Sequence, residues 1–205
     1  MIINRNMFDN KDVIGFFDSL APDWDKEIGK ENGTVIDMIL DNASVSRGDS
    51  VLDVGCGTGR LFPYYLKRNV SSIMGIDISS GMIEAAKRNC LSEKIVLICD
   101  DASEHFFEKS YDRIVVFDAF PHFTDPERMM QNLSEHLSEG GTLTIAHDSS
   151  REEINRRHTM MRKNVSHVLM DIDELESIVS EYLTVTYKRS DDRIYQIVGR
   201  KQKES

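Results

Sequence analysis

The sequence predicts an α/β fold: a doubly wound, mostly parallel sheet of seven strands, closed by a C-terminal antiparallel hairpin and preceded by helices. Three observations predict it. Strand-like and helix-like patterns alternate between residues 50 and 148, a glycine-rich turn joins the first strand to the helix after it, and the tail trades that rhythm for two short alternating strands.

At the N-terminus Val13, Phe16, Phe17 and Leu20 recur at i, i+3, i+4 and i+7. This spacing makes 10–20 an amphipathic helix, followed by the loop Ala21-Pro22-Asp23-Trp24-Asp25. A second helix is expected from about Thr34 to Ala43. Strands then follow at 50–54, 72–77, 94–99, 112–117 and 141–147, with helices at 59–68, 80–89 and 126–137. Pro126 after Thr124-Asp125 starts the last of these helices, and Gly140-Gly141 is expected to stop it before the fifth strand. Beyond Asp148, Ser150-Arg151-Glu152-Glu153 fits a capping box, and Leu175, Ile178, Val179 and Tyr182 form the stripe of a further helix. Thr184 to Tyr187 and Ile194 to Val198 alternate as the hairpin strands around Arg189 to Asp192, and Lys201 to Ser205 is expected to fray.

Composition bounds the function. The 205 residues are 40% hydrophobic, enough for one domain with a core of its own. Twenty-five basic against thirty-five acidic side chains give a net charge of −10, which opposes a nucleic-acid partner despite local pairs such as Lys87-Arg88 and Arg156-Arg157. Neither a signal peptide nor an apolar run long enough to span a bilayer is present, so a cytoplasmic location without membrane contact is expected. Cys56, Cys90 and Cys99 form no CxxC pair and are odd in number, against a disulfide framework or a thiolate zinc site.

The run VLDVGCGTGRLF, Val51 to Phe62, carries the chemistry. It places Asp53 and then Gly55, Gly57 and Gly59 where a strand becomes a helix, so that the backbone can lie against a ligand. A dinucleotide loop requires a third glycine where Arg60 stands, and a P-loop requires a terminal Lys and Ser or Thr. Asp53 also repels a pyrophosphate and suits a cationic amino-acid ligand.

VLDVGCGTG resembles motif I of the class I S-adenosylmethionine-dependent methyltransferases at every position, and the likeness continues through GIDIS (Gly75 to Ser79), CDDA (Cys99 to Ala102) and YDRIVVFDAF (Tyr111 to Phe120). The resemblance implies a Rossmann-like sheet and S-adenosylmethionine as cofactor. It assigns Asp77 to the ribose hydroxyls, for which its place about 20 residues past the loop is independent support. It assigns Asp101 to the adenine amino group, with Asp100 as the alternative. Further cofactor contacts are expected from Asp53, Gly55, Cys56, Gly57, Thr58, Gly59, Ile78, Met82, Ala102, Phe117, Asp118 and Phe120.

The segment Phe16 to Asp25 resembles the opening of small-molecule methyltransferases of the quinone-biosynthesis type, implying a lid in which Phe17 and Trp24 shield the methyl group. On this basis the whole chain is one domain: a helical lid at 1–45, a cofactor-binding core at 46–148, and substrate-side helices with the closing hairpin at 149–205. Candidate bases lie beyond the carboxyl ends of the strands, where open α/β sheets bind ligands. His122 and His147 are the expected catalytic residues, near Asp118 and Asp148, with His158 one helix further on beside Ile154 and Met161. A metal held by His122, His147 and His158 is the alternative, but their spacing of 25 and 11 residues matches no compact metal motif, and no metal is expected. Phe117-Asp118-Ala119-Phe120-Pro121-His122 departs from the Asn-Pro-Pro-Tyr signature of enzymes that methylate planar nitrogens. The expected activity is methyl transfer to a small molecule; a non-catalytic S-adenosylmethionine-binding sensor or scaffold is the other reading.

Overall fold

The structure, a computed structural model, describes residues 8–27, 33–160 and 165–203. Met161 beside His158 and the last two residues of the expected frayed terminus lie outside the described residues. The chain opens with α1 (Asn10–Leu20), a one-turn α2 (Trp24–Glu27) and α3 (Gly33–Asn42). Asp9 caps α1 through a reciprocal box with Asp12, which fixes where that helix begins. There follow β1 (Ser50–Val54), α4 (Phe62–Lys67), β2 (Ser72–Asp77), α5 (Ser80–Asn89), β3 (Ile95–Cys99) and β4 (Tyr111–Phe117). A short 3-10 turn at Phe120–His122 leads to α6 (Pro126–Glu135), β5 (Leu137–His147), α7 (Arg151–Met160), α8 (Ile172–Ser180), β6 (Thr184–Ser190) and β7 (Tyr195–Arg200).

The strands form one sheet in the order β3-β2-β1-β4-β5-β7-β6, parallel except that β7 runs antiparallel to both its neighbours. Alternation along β1 sends Val51 into a core with α3, α4 and α5, and Leu52 into the opposite core with α6 and α8. The order reverses between β1 and β4, and the crevice beyond their carboxyl ends is the place where such sheets take ligands. Among the described residues no helix is long and apolar enough to cross a membrane.

Three local expectations are corrected. The helix expected at 59–68 starts only at Phe62, because the loop after Gly55 continues as turns before Pro63 sets the helical φ. Gly140-Gly141 does not stop α6, which ends at Glu135; the pair lies inside β5, where the register against β4 jumps from Tyr111–Leu137 to Arg113–Thr142. Gly140 takes φ +71°, and a Cβ on Gly141 would stand 2.8 Å from the Ser138 carbonyl oxygen, so both glycines serve a strand irregularity. Only half of the box at Ser150 forms: its Oγ accepts the Glu153 N–H at 3.2 Å, while the Glu153 carboxylate turns to Arg156 and Arg157.

Candidate active site

Beyond the ends of β1 and β4 a cavity of about 660 Å³ opens under α1, within the range of small-molecule sites. Its floor is the glycine loop. The Gly55 and Cys56 N–H groups donate to the Ile76 carbonyl at 2.8 and 3.1 Å, which ties the loop across to β2. Gly57 adopts φ +53° and a Cβ there would meet nothing within 4 Å, so this turn presents bare backbone to the cavity. Its N–H donates to Asp77 Oδ2 at 2.8 Å, and the Ser79 N–H donates to Oδ1 at 2.9 Å. Asp77 thus faces the cavity from a fixed position with lone pairs to spare. Burial raises its pKa, against the pull of those two N–H bonds.

Asp53 lies beneath the loop, 2% exposed, and its Oδ2 has no hydrogen-bond partner among the described residues. Burial, reinforced by the nearby charge of Asp77, pushes its pKa up to about 8. At the far end of the cavity Asp101 accepts the Asn10 side-chain amide at 2.7 Å and the Ser103 N–H at 2.9 Å, while Asp100 is paired with His105 at 2.8 Å. Ile78, Met82 and Ala102 line the wall between.

Three carboxylates strap the N-terminal helices over this space. Asn10 reaches Asp101 as above; Asp18 accepts Ser79 Oγ at 2.6 Å and the Gly81 N–H at 2.8 Å; Asp25 accepts Thr58 Oγ1 at 2.6 Å and the Asn89 amide at 2.7 Å. Phe17 packs edge-on against Trp24 at 5.6 Å and against His122 at 4.8 Å, so both expected lid aromatics face the cavity. The strapping partners Asn10, Asp18 and Asp25 had no assigned role in the sequence. Their polar side chains interrupt an amphipathic segment, and that was the available signal.

The opposite end is built from β4, β5, α7 and the loop itself. Asp118, directly after β4, takes φ +52°, a conformation in which Asp and Asn are the least strained side chains after glycine. Its Oδ1 stands 3.1 Å from Nδ1 of His147, and its Oδ2 accepts Arg60 Nη1 at 3.0 Å. Arg60 also donates to Asp148 Oδ2 at 2.6 Å and lies 5.2 Å from the Phe117 ring centroid. Burial works to raise the Asp118 pKa, but the His147 hydrogen bond and the Arg60 charge outweigh it and hold the carboxylate ionised; burial and the charge of Asp118 raise Asp148. His147 is 3% exposed and its Nε2 has no hydrogen-bond partner among the described residues. His122 holds the Val165 carbonyl through Nδ1 at 2.9 Å and tilts against His158 with 5.1 Å between ring centroids.

The structure therefore brings nearly all of the expected residues to one cavity. Two do not line it. Phe120 turns into the sheet core, 3% exposed, and Ala119 takes the wall position; Gly59 packs beneath, where a Cβ would come within 2.6 Å of the Phe62 ring. Among the described residues no group of three or more His, Cys, Asp or Glu is placed to hold a metal ion. Arg60 was read in the sequence only as a missing glycine; its paired acids lie 58 and 88 residues away.

Comparison with known proteins gives the same region a family. A model described as a methyltransferase domain matches residues 51–141. The malonyl-[acyl-carrier protein] O-methyltransferase of Acetivibrio thermocellus is 34% identical over 144 residues, 68% of this chain and 50% of its own length. That of Priestia megaterium is 35% identical over 98 residues, 47% of this chain and 36% of its own. The chain thus spans half or less of the length of these relatives. In fold it is similar to the N-methyltransferase NodS from Bradyrhizobium japonicum solved with S-adenosyl-L-homocysteine, with a TM-score of 0.74 at 16% identity over 94% of this chain and 100% of that one. Residues 51–141 thus match a methyltransferase domain, and the sheet that carries them has the fold of that N-methyltransferase.

Proposed function

We propose that the chain transfers a methyl group from S-adenosylmethionine to a small-molecule acceptor. The observation that carries this reading is the unpartnered, buried carboxyl oxygen of Asp53 under a glycine loop, which calls for a cationic ligand group such as an α-ammonium. The residues fit the donor: Asp53 for the ammonium, Asp77 for the ribose hydroxyls, Asp101 for the adenine amino group, and Ile78 and Met82 for the apolar faces. When bound, the donor supplies a methyl group already activated by positive sulfur, so the acceptor–carbon bond forms as the carbon–sulfur bond breaks and its electron pair stays on sulfur.

The protein's own groups orient the partners and handle the proton. Asp118 orients His147 through Nδ1, and Nε2, without a partner among the described residues, is the nitrogen that takes the proton a hydroxyl or amine acceptor loses. The imidazolium so formed rests against the ionised Asp118. Phe17 and Trp24, strapped down with α1 and α2, exclude water. Of the lid expected at 1–45, α1 and α2 cover the cavity while α3 packs into the core beside β1; 46–148 acts as the donor core and 149–205 as the acceptor side of one domain.

The net charge of −10 argues against nucleic acid as acceptor. Free thiols at Cys56, Cys90 and Cys99 suit the reducing cytoplasm. A sensor or scaffold has no use for an oriented base beside the donor pocket, which favours the enzyme. Titration calorimetry with S-adenosyl-L-homocysteine and with NAD tests the reading. Binding of the first alone is expected, and a preference for NAD would overturn it.

A further inference from the structure

The two edges of the sheet are finished differently. β6, at one end, carries the devices that keep an edge from pairing: Lys188 and Arg189 stand within it, and its register on β7 shifts between Val185 and Tyr187. β3, at the other end, has neither. Ile95-Val96-Leu97-Ile98-Cys99 holds no charge and no proline, keeps an unbroken register on β2, and is followed by residues 100–110, which form no helix to cover it. Val96 is 54% exposed and Leu91, just ahead of the strand, 91%. An apolar edge of this kind is a template for a further strand.

Backbone hydrogen bonds show which groups face outward. The Lys94 carbonyl accepts the Ile73 N–H at 2.8 Å, and the Asp100 N–H donates to the Asp77 carbonyl at 3.1 Å, so the even-numbered residues turn toward β2. Alternation turns the N–H and C=O groups of Ile95, Leu97 and Cys99 the other way; among them the Ile95 N–H folds back to the Ser92 carbonyl at 3.1 Å. Side chains follow the same period, which puts Lys94, Val96, Ile98 and Asp100 on one face in the order cation, apolar, apolar, anion. Lys94 rests on the Val70 carbonyl at 2.7 Å and Asp100 on His105 at 2.8 Å, so both charges are fixed at the ends of the strand. About Leu97 this order is its own complement when the strand is reversed.

We propose that β3 pairs with β3 of a second copy of this chain, antiparallel about a two-fold axis at Leu97, so that two sheets become one. Leu97 then exchanges both of its backbone hydrogen bonds with Leu97 of the second copy, and the Cys99 N–H donates to the Ile95 carbonyl across the axis. Val96 falls opposite Ile98 and Lys94 opposite Asp100, at the non-hydrogen-bonded positions where cross-strand side chains stand closest. Beyond these residues each chain leaves the edge, at one end by the Ser92 turn and at the other by Asp101, which is drawn to Asn10. A parallel pairing in register would instead set Lys94 on Lys94 and Asp100 on Asp100, and nothing in it closes on two copies. The pairing does not depend on the donor or on methyl transfer.

The test is sedimentation velocity on the full chain from about 1 to 300 µM, the range in which an interface of one short strand associates. The mass is expected to rise with concentration toward twice the 23.4 kDa of one chain. Val96→Lys sets a charge in the apolar row and is expected to hold the protein monomeric throughout, while still melting cooperatively. Lys94→Asp, which brings two carboxylates together at each end of the pairing, is expected to raise the dissociation constant about tenfold, the scale of two cross-strand charge pairs. Lys94→Asp combined with Asp100→Lys is expected to restore it. Hydrogen exchange on the unaltered chain is expected to show the Leu97 and Cys99 amides more protected at the top of the concentration range than at the bottom. A monomer at every concentration, a dimer that survives Val96→Lys, a double swap no better than the single one, or amides indifferent to concentration overturns the proposal. If Val96→Lys does not fold, the charge swap and the exchange decide.

Discussion

The two ends of the cavity are assembled on different principles. At the donor end, Asp77 is held by the backbone N–H groups of Ser79 and of Gly57 in the glycine loop, and Asp101 by the Ser103 N–H and the strap from α1. At the acceptor end, Arg60, Asp118, His147 and Asp148 hold one another, and no one of them keeps its place alone. Local anchoring makes a generic grip on a common donor; mutual anchoring makes a site whose chemistry depends on a network.

The contrast is broken most sharply at the base. His147→Ala is expected to lower kcat by roughly 10²–10⁴-fold, the range for a positioned general base. The affinity for S-adenosyl-L-homocysteine should stay within about threefold, since nothing at the donor end leans on this ring. Steady-state kinetics beside calorimetry check it, and an equal loss in both would merge the two ends into one unit. Asp77→Ala is the reverse experiment. Donor affinity is expected to fall by about 1.5–3 kcal/mol, the scale of hydrogen bonds to a charged group, and an unchanged dissociation constant would remove the ribose assignment.

The smallest effect concerns pH. Asp53 is protonated in the folded chain up to about pH 8 but only to about pH 4 when unfolded, so the folded state binds the extra proton between those values. Stability of the ligand-free protein is therefore expected to decline by ~1–3 kcal/mol as pH rises from 5 to 8. Asp53→Asn flattens that decline and weakens donor binding, as thermal melts across the pH range will report.

Legibility in the sequence follows the same division. The strands and helices of the donor half arise from periods of two and 3.6 residues, and Asp53, the glycines and Asp77 fall within one strand–helix–strand unit, so a linear reading reaches them. Asp118 and His147 were each visible as polar residues at strand ends, but their pairing was not, because strand order brings together positions that no local pattern relates. Arg60 was hidden by comparison with a glycine it replaces. Gly140 and Gly141 misled for a related reason: the same residues that end helices also relieve crowding in a bulged strand, and only the register of β5 on β4 separates the two uses.

Arg60 has one last implication. It springs from the glycine turn that floors the cavity, yet its guanidinium pairs with Asp118 and Asp148 at the opposite end. A change at this one side chain therefore reaches both the loop that floors the cavity and the carboxylate that holds His147.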